Sequence, residues 1–147
     1  MSGTWIVVAH RAGARIFETH GRGSGLDYVQ ELRNEAGRLK DSELDSDRQG
    51  AAGHSSHHGQ DSLSREQSPH ERAAADFARE LSRLLERGRN EHAYDDVVLV
   101  AEPGFLGMLR EALDAPTASL VRAEIPKNLS KMDMQALTPY LAETVAL

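Results

Sequence analysis

The chain has 147 residues, no cysteine and a formal net charge of −6 at neutral pH. This length is typical of one domain, which we expect to span residues 1–147. The lack of cysteine excludes disulfides, thiol nucleophiles and thiolate metal sites. The negative charge argues against indiscriminate polyanion binding but leaves room for a local basic face. Because no stretch approaches the roughly 20 apolar residues of a membrane span and no signal sequence is evident, we expect a cytoplasmic protein.

The first part of the sequence predicts a three-stranded meander. Residues 5–9 are almost wholly apolar and rich in strand-forming side chains, which is typical of a central strand. A tight turn at residues 11–13 leads into a second strand at 14–19, and the glycine-rich segment 21–25 leads into a third at 26–32. Such short turns favour antiparallel pairing of successive strands.

A long polar segment follows at residues 34–69. It has six apolar residues among many charged, glycine, serine and histidine residues. This composition cannot bury enough apolar surface to offset the entropy of ordering, so we expect a flexible loop. A connection of this length inside one domain is usually functional or disordered, and this loop is a candidate for binding protein partners.

The second half of the chain predicts alternating helices and strands. Ser68, Pro69 and Glu71 have the spacing of a helix start with a capping box, and we expect the helix to occupy residues 70–88 and to stop at Gly88. The remaining predicted elements are a strand at 97–100, a helix at 104–113, a strand at 118–125 and a helix at 133–147.

The order of the predicted elements is βββ-loop-αβαβα. It indicates an α/β (α+β) fold in which helices pack on a mixed five-stranded sheet. Within the last helix we expect Pro139 to cause a kink or an early end, because proline lacks the amide that an interior helical position donates.

Five segments together carry a family resemblance. They are the opening hairpin at 6–17, an Asp-Ser-Asp-Arg-Gln-Gly loop segment at 45–50, a Phe-Ala-Arg-Glu-Leu signature at 77–81, the strand–helix motif at 99–110 and a Pro-Lys-Asn-Leu-Ser segment at 126–130. They resemble a bacterial family described as proteins required for attachment to host cells, the host attachment family, over nearly the whole chain. His10 and Asn128 stand where the family tends to have acidic residues, and Gly104 replaces a usual arginine.

The resemblance implies a relationship to the central domain of archaeal and eukaryotic peptide-chain release factors, whose mixed sheet is similar to ribonuclease H and to some ribosomal proteins. It makes the ribosome or RNA the expected partner and implies no cofactor. In release factors a Gly-Gly-Gln loop ahead of a helix helps water to attack peptidyl-tRNA. Gln60 occupies a similar place after Gly59, which makes it a weak candidate catalytic residue, although His58 stands where the first glycine should be.

An arginine face is predicted on the first long helix. Arg72, Arg79, Arg83 and Arg87 lie within about 80° of one another on the helical wheel. A ridge of this kind can bind a phosphate backbone, and it is the main candidate for contact with RNA. The alternative is a solvated face, because acidic residues share this side at spacings that allow pairing. These acidic residues are Asp76, Glu80 and Glu86.

A second candidate basic contact lies near the first turn. His10, Arg11 and Arg15 surround this turn, and they meet Lys127 and Lys131 if the sheet brings the ends of its strands together. The complete set of candidate binding residues is Arg72, Arg79, Arg83, Arg87, Arg48, Arg15 and Lys127.

Metal binding has weak support. His54, His57 and His58 could clamp Zn²⁺ or Ni²⁺, but a solvated loop that is rich in histidine is the favoured interpretation. The Asp-Ser-Asp segment at 45–47 could offer carboxylates to Mg²⁺, as in a nuclease. Since the first strand ends in His10 rather than an acid, the central ligand of such a nuclease site is missing. We expect no metal.

The segment at residues 104–107 opens a helix, where free amides can cradle an anion. It lacks the lysine and hydroxyl residue of a phosphate-binding loop, so we expect its glycines to serve close packing. No compact catalytic constellation occurs elsewhere. We therefore predict a non-enzymatic binding protein that contacts the translation machinery or RNA. An accessory regulator of attachment to host cells that acts through protein partners is the alternative, and hydrolysis through Gln60 comes third.

Overall fold

A computed structural model describes residues 3–21, 23–35 and 68–145. The strands are β1 (Gly3–His10), β2 (Gly13–Thr19), β3 (Asp27–Arg33), β4 (Tyr94–Val100) and β5 (Val121–Ile125). The helices are α1 (Pro69–Asn90), α2 (Pro103–Ala112), α3 (Ala115–Ala118) and α4 (Met134–Val145). The predicted α/β class and mixed five-stranded sheet are confirmed.

The sheet has the strand order β3-β2-β1-β4-β5. The first three strands form the predicted antiparallel meander, whereas β4 lies parallel to β1 and β5 lies parallel to β4. The centre of β1 is apolar on both faces and buried throughout, which suits the middle position in the sheet. The carboxyl ends of β1, β4 and β5 therefore meet at one edge.

Side chains of alternate β1 residues enter two separate cores. Trp5, Val7 and Ala9 pack under α1 and α2, and Ile6 and Val8 pack on the opposite face under α4. The helical side chains of the first core include Phe77, Leu81 and Leu85 from α1 and Phe105 and Leu109 from α2, and those of the second include Leu137 and Leu141 from α4. The helices thus cover both faces of the sheet.

The predicted end of the first helix at Gly88 is wrong. A Cβ atom at Gly88 would lie 2.9 Å from Tyr94 Cε2 and 3.1 Å from the Trp5 ring, and the centroids of these two rings are 4.8 Å apart. Glycine at this position lets α1 approach the aromatic pair closely. The helix continues to Asn90, and Glu91 is its C-cap.

Further boundaries differ from the prediction, and one is that β4 begins at Tyr94 rather than at residue 97. The strand expected at 118–125 begins only at Val121, because Asp114 accepts a hydrogen bond from the Thr117 amide (3.0 Å) and caps the short helix α3. Pro139 lies inside α4, which continues to Val145, so the expected early end is wrong.

Candidate functional site

The predicted capping box fixes the start of α1. The Glu71 amide donates to Ser68 Oγ (3.1 Å), and the Ser68 amide donates to Glu71 Oε1 (3.4 Å). Because the apolar stripe of α1 faces the sheet, the opposite side of the helix faces outward. The four side chains of the arginine face, Arg72, Arg79, Arg83 and Arg87, are all exposed.

Acidic side chains reduce the charge of the arginine face unevenly. Asp76 forms an ion pair with Arg79. Glu86 interacts mainly with Asp114: a hydrogen bond with that carboxyl group, and then its negative charge, raises the pKa of Glu86, whereas the charges of Arg89 and Arg83 act in the opposite direction. No ion pair joins Arg83 or Arg87 to another residue of the described part of the chain. These two arginines are therefore the most available part of the face.

A second basic site lies at the carboxyl end of β1, on the face of the sheet that α4 only partly covers. There a cavity of about 350 Å³, which we call the hairpin cavity, opens between the first three strands and the segment that follows β5. Its polar lining consists of His10, Arg15, Glu31, Arg33 and Ser130. The cavity combines two guanidinium groups, an imidazole, a hydroxyl group and one carboxylate.

Arg15 connects the hairpin to the segment after β5. Its Nη2 donates to the carbonyl oxygens of Leu129 and Ser130, both at 3.2 Å, and its guanidinium lies 5.5 Å from the centroid of the Phe17 ring. Lys127 is exposed, with its ammonium group 5.7 Å from the centroid of the Tyr140 ring. The strand ends do come together, and Arg15 has a structural role there beside any binding role.

The start of α2 is already capped within the chain. Glu102 accepts hydrogen bonds from the amides of Phe105 (2.7 Å) and Gly104 (3.3 Å), and it lies 3.7 Å from Arg11 Nε. These amides are therefore not available to cradle an external anion. The predicted close packing agrees with the surroundings of Gly104, where a Cβ atom would lie 3.2 Å from Arg11 Nη2. The same prediction is wrong for Gly107, which has open space around it.

Several predicted site residues lie outside the described residues, so their roles stay predictions. They are Arg48, His54, His57, His58 and Gln60. Within residues 3–21, 23–35 and 68–145, no group of three or more histidine or acidic side chains is placed to hold a metal ion.

Sequence reasoning missed three residues of the hairpin cavity, namely Glu31, Arg33 and Ser130. In the sheet, Arg15 pairs with Glu31 and Gly13 pairs with Arg33, which puts both β3 side chains on the face of Arg15. The alternation of β3 was visible in the sequence, but its register against β2 was not. Ser130 offers no local signal, because its position depends on contacts more than 100 residues apart.

Fold and sites together define an α/β protein with a mixed sheet and two basic surfaces. The family model described as "Protein required for attachment to host cells" matches residues 5–141. The chain therefore belongs to the host attachment family, as its motifs predicted. The family description does not say what such a protein binds.

The other comparisons show the fold only. A solved structure described as an archaeal protein is similar to this chain with a TM-score of 0.50 and 15% sequence identity. The match covers 97% of this chain but 34% of that one, so this chain spans about a third of its length. No curated protein matches the chain. None of the helices in the described part is long and apolar enough to cross a membrane.

Proposed function

We propose that the protein is a non-enzymatic binding protein that contacts RNA of the translation machinery through the arginine face of α1. The proposal rests on the exposure of all four arginines on the side of α1 that points away from the sheet. Guanidinium groups form bidentate hydrogen bonds with phosphate oxygens, and a row of them follows a nucleic-acid backbone.

The spacing along α1 supports contact with several nucleotides. Arg72 and Arg87 are about 22 Å apart along the helix axis at 1.5 Å per residue. The pairing of Arg79 with Asp76 weakens the middle of this row. Arg83 and Arg87 are then expected to contribute most of the binding energy, and their replacement provides the sharpest test.

Fluorescence anisotropy with a labelled fragment of ribosomal RNA tests the proposal at a series of salt concentrations. Arg83→Glu combined with Arg87→Glu is expected to weaken binding at least tenfold at low salt and to reduce the salt slope by about 2. The control is Arg110→Glu combined with Arg122→Glu, which makes the same change in net charge at exposed positions outside α1.

The control variant is expected to bind RNA nearly as tightly as the unmodified chain. An equal loss in both variants would show that net charge, rather than the arginine face, governs binding. Absence of RNA binding at low salt would contradict the proposal and favour the alternative that the protein acts through protein partners.

A further inference from the structure

We propose that the hairpin cavity binds a small ligand that carries a phosphate group, whose oxygens contact Arg15 and Arg33. This site is separate from the proposed RNA contact, because α1 packs on the other face of the sheet. The ligand chemistry is a dianionic phosphate group, supplied either by the free ion or by a mononucleotide.

The position of the cavity favours ligand binding. It lies at the carboxyl end of β1, where the sheet continues with β2 on one side and β4 on the other. A concave site on which several polar side chains converge is a common kind of small-molecule site. A volume of about 350 Å³ is at the lower end of the range for small-molecule sites, which suits a ligand of this size.

The strand register directs the cationic side chains to one place. Val8 pairs with Arg15, and His10 pairs with Gly13, which in turn pairs with Arg33. Side chains at such directly opposed or diagonal positions are about 5 to 8 Å apart at their bases, which long arginine side chains can bridge to a single phosphate. A Cβ atom at Gly13 would lie 3.6 Å from His10 Cε1, so the imidazole of His10 packs close to the backbone of Gly13.

Arg15 is held in place before any ligand arrives. Its two hydrogen bonds to the carbonyl oxygens of Leu129 and Ser130 use one guanidinium nitrogen, Nη2. The Phe17 ring supports the guanidinium from one side. A guanidinium fixed in this way loses little conformational entropy on binding, which favours affinity.

The ion pair between Arg33 and Glu31 is weak enough for Arg33 to exchange its partner. The Arg33 Nε atom lies 3.8 Å from Glu31 Oε2, and the two side chains are 65% and 43% exposed. An exposed ion pair of this length contributes little to stability, so a phosphate can replace Glu31 as the partner of Arg33. The same carboxylate repels a bound phosphate, and its removal should therefore strengthen binding.

Titration of the full chain followed by amide chemical shifts tests the proposal. The probes are inorganic phosphate and adenosine monophosphate, with adenosine as the uncharged control. We expect dissociation constants on the order of 1 mM or tighter for at least one phosphate probe, with shifts centred on residues 10–15 and 31–33. If inorganic phosphate saturates the site and the nucleotide binds no more tightly, the free ion is the ligand. If adenosine monophosphate binds more tightly than inorganic phosphate, the ligand is a mononucleotide.

Three variants test which side chains strengthen or weaken the binding of phosphate. Arg33→Gln is expected to weaken binding about tenfold, and Glu31→Gln to strengthen it several-fold. Arg122→Gln, an exposed arginine on the opposite edge strand, is expected to change nothing. Because Arg33 and Glu31 are exposed on an edge strand, neither replacement endangers the fold, whereas replacement of Arg15 removes the link to Leu129.

Several results would overturn the proposal. These are the absence of any shift at about 10 mM phosphate probe, equal binding of adenosine, and binding that Arg33→Gln leaves unchanged. Since none of these measurements involves α1, failure here would leave the proposed RNA contact untouched, and loss of RNA binding in the α1 variant would leave this site untouched.

Discussion

Two helical glycines with different surroundings should respond in opposite ways to the same substitution. Replacing glycine by alanine inside a helix stabilises it by about 1 kcal/mol when the methyl group has room. At Gly107 of α2 nothing lies within 4 Å of the added Cβ position. We therefore expect Gly107→Ala to raise the free energy of unfolding by about 0.5 to 1 kcal/mol and Tm by about 2 °C.

At Gly88 the same methyl group would lie 2.9 Å from Tyr94 and 3.1 Å from Trp5. Both rings are buried, and displacing packed side chains costs about 1 to 3 kcal/mol. This cost exceeds the gain in helix propensity, so Gly88→Ala is expected to lower the free energy of unfolding by about 1 kcal/mol and Tm by about 3 °C.

Urea denaturation of both variants measures the change in the free energy of unfolding. With a constant m-value, this change appears as a shift of the denaturation midpoint. The double variant Gly88→Ala with Tyr94→Leu supplies a further check, because removal of the ring should relieve the clash and make the two effects non-additive. A midpoint for Gly88→Ala that rises as much as that for Gly107→Ala would refute the reasoning. Strict additivity in the double variant would refute the assignment of the clash to Tyr94.

The pKa shifts of Tyr94 and Glu86 predict how the stability of the fold depends on pH. Burial raises the pKa of Tyr94, whose hydroxyl group donates to the Leu85 carbonyl oxygen (2.5 Å), to about 12. The free energy of unfolding should therefore fall by about 3 kcal/mol between about pH 10 and 12. Urea titrations at alkaline pH should show no such loss for Tyr94→Phe. An identical loss in that variant would show that Tyr94 is not the group responsible. The pKa of Glu86 is raised in the folded chain, so the folded chain favours the protonated carboxyl group. Protonated Glu86 therefore stabilises the fold at acid pH, and this stabilisation is lost as the pH rises through the folded-state pKa. Glu86→Gln should then have a higher Tm than the unmodified chain at neutral pH, and equal Tm values would show that Asp114 does not destabilise the Glu86 carboxylate.

The elements of the fold were largely predictable because they depend on local patterns. The apolar run in β1 indicated a central strand, and the Ser68–Glu71 spacing indicated the start of α1. Both signals arise from residues that are close in sequence. The arginine face was predictable for the same reason, since a fixed helical period places its members on one side.

Features that depend on distant contacts were not predictable. Gly88 has the sequence signal of a helix end, yet its role depends on Trp5 and Tyr94 in two separate strands. The hairpin cavity depends on the β2–β3 register and on Arg15 reaching a segment more than 100 residues away. Nothing in the local sequence around Glu31 or Arg33 indicates either contact.

Sedimentation through a sucrose gradient tests the central proposal, contact with the translation machinery, most directly. At low salt the full chain is expected to migrate with ribosomal particles and to dissociate from them as salt rises. The Arg83→Glu, Arg87→Glu variant should lose this association, whereas the Arg110→Glu, Arg122→Glu control should keep it. A chain that stays at the top of the gradient at every salt concentration would contradict the proposal and favour protein partners.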